Sequence, residues 1–217
     1  MTATPLELYA EGLLAPRTPE EPAYTSWLHY ADGRRLLLDL PRWIAPASPA
    51  DDHLLSLCTG PTLDIGCGPG RLTRALVALG ISCLGVDVAP EAVALASTGG
   101  MPVLHASIFD RALDHSRWAT VLLADGNIGI GGDPVALLAR ARELCTGNLL
   151  VELDGPETPT GPVQVRIETS TGRRSSWFPW AHVSANDVAR VAAEAGLAVR
   201  TAWRTEDRWF AELVAGG

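Results

Sequence analysis

The stretch Leu63-Asp64-Ile65-Gly66-Cys67-Gly68-Pro69-Gly70 ends a short apolar run in three glycines, and the helical pattern RLTRALVALG follows at once. Glycines in such a turn let the backbone approach a ligand closely, and the amides opening the next helix favour polar or anionic groups. Seventeen residues past Gly70, a second apolar run, ISCLGVDV, places a carboxylate at Asp87. A carboxylate there can accept both hydroxyls of a ribose. These residues could therefore serve a nucleotide-like cofactor. The dinucleotide fingerprint GxGxxG would put its third glycine at position 71. That position is Arg71, with the glycines at 66, 68 and 70, and a bulky side chain there opposes the close helix–strand packing the fingerprint needs.

Two other stretches carry chemistry. ADGNIGIGGDP (124–134) holds Gly126, Gly129, Gly131 and Gly132 beside Asp125 and Asn127, either of which could touch a cofactor or a polar substrate, or only shape the turn. SSWFPWAH (175–182) gathers Trp177, Phe178, Trp180 and His182. These rings could wall an apolar substrate, face a cation, or simply pack the segment down. His182 is a candidate general base, and so is His29 in TSWLHY. Cys67 reads as a small packing residue, and Arg34-Arg35 and Arg173-Arg174 as solvated pairs able to hold a carboxylate or phosphate. The five His and four Cys form no HxxxH, HExxH or CxxC spacing, so no protein-bound metal is expected.

The elements that must position these groups begin with a proline-punctuated, helical region over 1–58, in which LELYAEGLL (6–14) and the stretch 25–40 read as short amphipathic helices broken by Pro16, Pro19, Pro22, Pro41, Pro46 and Pro49. From Pro61 strands and helices alternate: PTLDIG, ISCLGVDV, PVLHASIF, WATVLLAD and GNLLVELD as strands, with Gly80 as a helix stop, Pro90 at a helix start and Asp133-Pro134 opening another. Such alternation indicates a parallel sheet covered on both faces. VQVRIET (163–169) instead alternates apolar and polar residues, and SSWFPWAHV could return beside it, so 156–183 reads as an inserted hairpin or lid. Ser184 and Asp187 have capping-box spacing before a last helix ending near Gly196. AVRTAWRT and RWFAELVA are joined through Glu206-Asp207 alone, which requires antiparallel pairing. The fold class expected is α/β, with a mostly parallel, doubly wound sheet. One domain is expected over 1–217: an N-terminal cap (1–58), a cofactor-binding half (59–155), and lid plus C-terminal strands (156–217).

The 25 acidic residues outnumber 17 basic ones, all Arg, giving a formal charge of -8, without the basic run of a nucleic-acid binder. The start MTATPLELYAEGLLAPRTPEEP carries acids and prolines where a secretory signal has a basic start and an apolar core. No apolar run approaches the ~20 residues of a membrane span. A cytoplasmic protein with reduced cysteines is expected, with neither nucleic acid nor membrane as partner, as monomer or homodimer.

The glycine spacing favours S-adenosylmethionine (SAM), and here the sequence resembles the class I SAM-dependent methyltransferases over about residues 60–217. LDIGCGPG is similar to that family's first motif and GVDVAPEAV to its second. The resemblance implies seven strands, the last antiparallel. It implies that Asp64, Gly66, Cys67 and Gly68 line the methionine and ribose portion of the cofactor, that Asp87 binds the ribose diol, and that Val88 lies beside the adenine. HASIFD (105–110) matches the segment that covers the adenine, through Ser107 and Ile108, though many members carry an acid where this chain has Ser107. An N-terminal segment folded over the cofactor would bring in Tyr24, Trp27, His29 and Tyr30. Methyl transfer needs a nucleophile aligned with the S–CH3 bond at roughly 3–3.5 Å, so the acceptor site is expected at the carboxyl ends of WATVLLAD and GNLLVELD. That gives Asp125 to the cofactor, Asn127, Trp177 and Trp180 to the substrate, and His29 or His182 as base. A small-molecule acceptor, in specialised metabolism, is the leading expectation. The alternatives are a protein or RNA acceptor, or a SAM-binding protein that transfers no methyl group.

Overall fold

The computed structural model describes residues 2–15 and 24–216, so the breaks at Pro16, Pro19 and Pro22 lie outside the described residues. A seven-stranded sheet forms the centre, in the order β10-β11-β7-β6-β3-β4-β5. Its strands are β3 (Thr62–Ile65), β4 (Cys83–Asp87), β5 (Val103–His105), β6 (Trp118–Leu123), β7 (Cys145–Leu153), β10 (Leu197–Thr205) and β11 (Arg208–Ala215). β3 to β7 run parallel to one another, and β11 lies antiparallel between β7 and β10. The chain adds β4 and β5 on one side of β3, then returns to place β6 on the other. That reversal opens a crevice beyond the carboxyl ends of β3 and β6, where open α/β sheets bind ligands.

Both faces of the sheet are buried, which is why its strands read as apolar runs. Leu63, Val121, Leu149 and Val151 pack with Leu137, Leu138 and Val191 of α6 (Pro134–Leu144) and α7 (Val188–Glu194). Leu122, Leu150 and Phe210 pack on the other face with Leu54, Leu72 and Leu76 of α3 (Asp52–Ser56) and α4 (Arg71–Ala78). Each such side chain, fully buried, contributes roughly 1.5–3 kcal/mol. Asp133 caps α6 through the Ala136 amide at 3.0 Å, and Pro90 opens α5 (Pro90–Thr98). Ser184 and Asp187 form no capping box. The Ser184 hydroxyl instead accepts the Asn186 amide and donates to the loop carbonyl of Pro156, leaving α7 without a side-chain cap.

The N-terminal cap is only partly helical. α1 (Pro5–Leu14) starts in a Thr4–Glu7 capping box, and α2 (Leu40–Ile44) is a single turn. The helix expected over 25–40 is instead a hairpin of β1 (Ser26–Tyr30) and β2 (Arg35–Leu37). Asp32-Gly33 makes its turn, with Gly33 at φ +90°, a conformation that costs glycine nothing. In β1 the buried residues alternate as Ser26, Leu28 and Tyr30, a period of two that a helix cannot satisfy. β1 then pairs with the inserted hairpin, β8 (Gly161–Thr169) and β9 (Phe178–His182), in a second sheet ordered β2-β1-β8-β9. One face of this cover sheet, with Leu28, Tyr30, Val165, Ile167, Phe178 and Trp180, packs against Leu8 and Tyr9 of α1.

Candidate cofactor loop and acceptor crevice

The turn after β3 is built by its glycines. Gly66, Gly68 and Gly70 have φ of +69°, +55° and +83°, and the amides of Gly66 and Cys67 both donate to the Val86 carbonyl of β4. A Cβ at Gly66 would stand 2.7 Å from the Asn127 side chain, and one at Gly68 would stand 3.1 Å from the Tyr9 hydroxyl. The loop is thus clamped between the turn after β6 and the helix α1. Cys67 is buried against Gly85, and burial pushes its thiol far up, with nearby Asp64 and Asp87 adding to the effect. It is a packing residue and not a nucleophile.

Asp87 ends β4 beside this loop. One carboxylate oxygen accepts the Gly68 amide and the other the Ala89 amide, both at 2.8 Å, so the group is fixed while each oxygen keeps a lone pair for a further donor. Burial raises its pKa, and the backbone amides oppose the rise. Next to it Val88 is 48% exposed, and Phe109, in the loop after β5, is 50% exposed, apolar surface of the kind a purine covers. The Ser107 amide donates to Asp110 and its hydroxyl accepts the Phe109 amide, which shapes the facing loop. Ile108 itself points into the core, and its carbonyl accepts from Arg140. A fixed carboxylate, a glycine cradle and an apolar shelf form a set that fits a nucleoside with a polar tail.

Two of the expected cofactor residues are held by other side chains of the protein. Asp64 lies beneath the loop, where Thr73 donates to it at 2.7 Å. Burial raises its carboxyl to about 6, with Thr73 opposing. It holds the loop from below, and no face of it is open to a ligand. Asp125 sits at φ +55° in a buried ionic cluster. Arg71, 3% exposed, bonds Asp51 at 2.7 Å and Asp125 at 2.8 Å, and Arg208 bonds Glu152 at 2.7 Å and Asp51 at 2.6 Å. Arg42 adds a third cation at 3.0 Å from Asp125. Three guanidiniums and three carboxylates balance, as burial demands. Asn127 donates from Nδ2 to the carbonyls of Ile65 and Gly66, both at 2.9 Å, and so braces the cofactor loop.

The cover sheet separates the remaining candidates. Trp180 and Ala181 press on Gly129 in the turn after β6, which brings Trp180 and His182 to the crevice side. His29 and Trp177 lie on the opposite, outer face, where His29 Nδ1 meets Glu168 at 3.1 Å and Arg166 covers the Trp177 ring. The structure therefore brings together Gly66, Cys67, Gly68, Asp87, Asn127, Trp180 and His182, and it leaves His29 and Trp177 apart from them. Trp27 also lies on the outer face, beneath Arg35, while Tyr30 faces inward and stacks on His182. Tyr24 meets Glu11 of α1.

Sequence reasoning missed Tyr9, partly buried between Trp43 and the glycine loop, because LELYAEGLL looks like any amphipathic helix. It also missed Asp154, although an acid just past the end of a parallel strand was a readable signal. Among the described residues no group of three or more His, Cys, Asp or Glu is placed to hold a metal ion, and no helix is long and apolar enough to cross a membrane.

Residues 63–117 match the family model of a methyltransferase domain. No curated protein matches the chain. Among solved structures, a SAM-dependent methyltransferase from Bacteroides fragilis, in complex with S-adenosyl-L-homocysteine, superposes with a TM-score of 0.78 at 17% identity, covering 98% of this chain and 95% of that one. The CcbJ methyltransferase of Streptomyces caelestis gives 0.61 at 16% identity, over 81% and 92% of the two chains. The glycopeptide N-methyltransferase MtfA, complexed with SAM, gives 0.61 at 18% identity, over 80% and 88%. By its sheet order, its glycine loop and the domain match over 63–117, the chain has the class I SAM-dependent methyltransferase fold.

Proposed function

We propose that this protein binds SAM and transfers its methyl group in line to a small-molecule acceptor, in specialised metabolism. The observation that carries this reading is the cradle of Gly66 and Gly68 beside the fixed carboxylate of Asp87. Gly66, Cys67 and Gly68 would take the methionine and ribose portion, Asp87 the ribose diol, and Val88 with the 107–109 loop the adenine. The bound cofactor supplies a sulfonium-activated methyl group. The protein's own part is to align the acceptor and exclude water. α1 and the cover sheet do this by closing the crevice, with Trp180 against the turn after β6 as an apolar wall. The chain acts as one domain, with 1–58 and 156–183 as its cover.

The similar solved structures support a small acceptor, since they include a glycopeptide N-methyltransferase, a sugar N-methyltransferase and a methyltransferase with bound 1,6-didemethyltoxoflavin. The test is incubation with methyl-labelled SAM and a small-molecule-rich cell extract, followed by separation by mass. Label in low-mass products supports the reading. Label confined to protein or RNA replaces the acceptor class, and bound SAM with no label in any fraction replaces methyl transfer with cofactor binding alone.

A further inference from the structure

His182 and Asp154 form a pair that the cofactor loop does not use. Asp154 directly follows β7 at its carboxyl end, the acceptor side of the crevice. Its Oδ1 lies 2.8 Å from His182 Nδ1, and its Oδ2 accepts the Val183 amide at 3.0 Å, so the carboxylate is held by the strand that carries the imidazole. Tyr30 stacks on the ring with centroids 5.5 Å apart. Position, rotation and tautomer are thereby set: a carboxylate at Nδ1 favours the proton there and leaves the lone pair on Nε2. Yet Nε2 is buried and has no hydrogen-bond partner among the described residues. Leaving a buried polar atom unpaired is costly, and a ring held by Asp154 and Tyr30 with its other nitrogen unpaired is arranged to meet a group from outside the chain. Phe178 and Trp180 line the same face of the cover sheet.

We propose that His182 Nε2 takes the proton of the acceptor, that Asp154 and Tyr30 are its positioning residues, and that the acceptor is a hydroxyl group on an apolar or aromatic body. This rests on the methyl-transfer reading above. A neutral amine attacks with a lone pair it already has, and it can shed its proton to water afterwards. A hydroxyl is a poor nucleophile until its proton leaves, and it needs a base at the reacting oxygen. In the balanced step the acceptor O–H bond breaks and the O–CH3 bond forms as the S–CH3 bond breaks. The proton ends on Nε2, the sulfonium becomes a neutral thioether, and the imidazolium charge faces Asp154. Among the described residues, the other titratable or charged groups by this ring are Tyr30 and, around Tyr30, Arg34 and Asp32.

The first experiment reads the imidazole directly. Long-range proton–nitrogen correlation on protein labelled with nitrogen-15 histidine, saturated with S-adenosylhomocysteine, should show His182 as the Nδ1–H tautomer. Asp154→Asn should lose that preference. A neutral Nε2–H tautomer in the parent protein overturns the proposal. The second experiment uses methyl-carbon-13 SAM with the extract and with a panel of simple phenols and matched anilines. The labelled carbon should appear bonded to oxygen. His182→Gln and Asp154→Asn should each lower turnover by about 10²- to 10⁴-fold, with S-adenosylhomocysteine affinity retained, and His182→Gln should remove the rising limb of the pH–rate profile. Labelled carbon bonded to nitrogen, or folded variants within about threefold of the parent protein, overturns the proposal while methyl transfer stands. Loss of cofactor binding in the unaltered protein refutes the methyl-transfer reading itself, and this proposal with it.

Discussion

Arg208→Met tests whether the buried ionic cluster holds the crevice floor together. Arg208 reaches the cluster from β11 and is 11% exposed; its Nε and Nη2 bond Glu152 at 2.8 and 2.7 Å, and Nη1 bonds Asp51 at 2.6 Å. Methionine keeps much of the packing but leaves two guanidiniums, Arg71 and Arg42, against Asp51, Asp125 and Glu152. Breaking one partner out of a buried ionic group costs about 3–5 kcal/mol. For a domain of this length that is a fall in Tm of roughly 6–20 °C. The cost is a matter of charge balance, so Arg208→Met/Glu152→Gln should recover at least half of it. The amide oxygen that Glu152→Gln introduces can still accept the Asp125 amide, which Glu152 does at 2.6 Å. Acid sensitivity should shift as well. Burial resists ionisation of Asp51, but Arg71 and Arg208 hold its carboxyl well below its usual 3.8. Its stabilisation is present above that value and is lost as pH falls through the lower folded one. Without Arg208, acid unfolding should begin at higher pH. Urea unfolding of the single and double variants at pH 7 and pH 4 measures all of this. A single-variant loss below about 1 kcal/mol, or no recovery in the double variant, refutes the reasoning.

Asp64→Asn should stabilise the protein above neutral pH. Asp64 titrates at about 6 because it is buried, so its contribution is full below about 4 and lost as pH rises past 6. Asparagine can still accept from Thr73 and removes a penalty of up to about 3 kcal/mol, so the gain over the parent protein in urea unfolding should be larger at pH 8 than at pH 5. Gly66→Ala should lower S-adenosylhomocysteine affinity at least tenfold by calorimetry. It strains a φ of +69° and places a methyl group 2.7 Å from Asn127, at a conformational cost of roughly 1–2 kcal/mol.

The parallel half of the fold was legible because each unit is local: an apolar strand, a glycine or proline boundary, then a helix with one apolar face. Gly80, Pro90 and Asp133 each stand where their chemistry predicts. The N-terminal hairpin was misread although Asp32-Gly33 between two apolar runs is a strong hairpin signal. What settles it is distant, since β1 finds its partner in β8 more than 130 residues later. The same holds within the site. Gly66, Gly68 and Asp87 announce themselves by spacing, whereas the ionic partners of Asp125, namely Arg42, Arg71 and Arg208, come from three separate elements and no local pattern announces them. His29 and His182 looked alike in sequence, and strand alternation puts them on opposite faces of one sheet. Asp154 and His182, 28 residues apart, meet only once β9 folds back onto the end of β7.

The most direct test of the account is calorimetric titration of S-adenosylhomocysteine, up to about 1 mM, into the parent protein and Asp87→Ala. A ribose diol donating two hydrogen bonds to a carboxylate is worth about 3 kcal/mol or more, so the account predicts saturable one-to-one binding that the substitution weakens about 100-fold. No binding by the folded parent protein, or equal affinity in the Asp87→Ala variant, would contradict it.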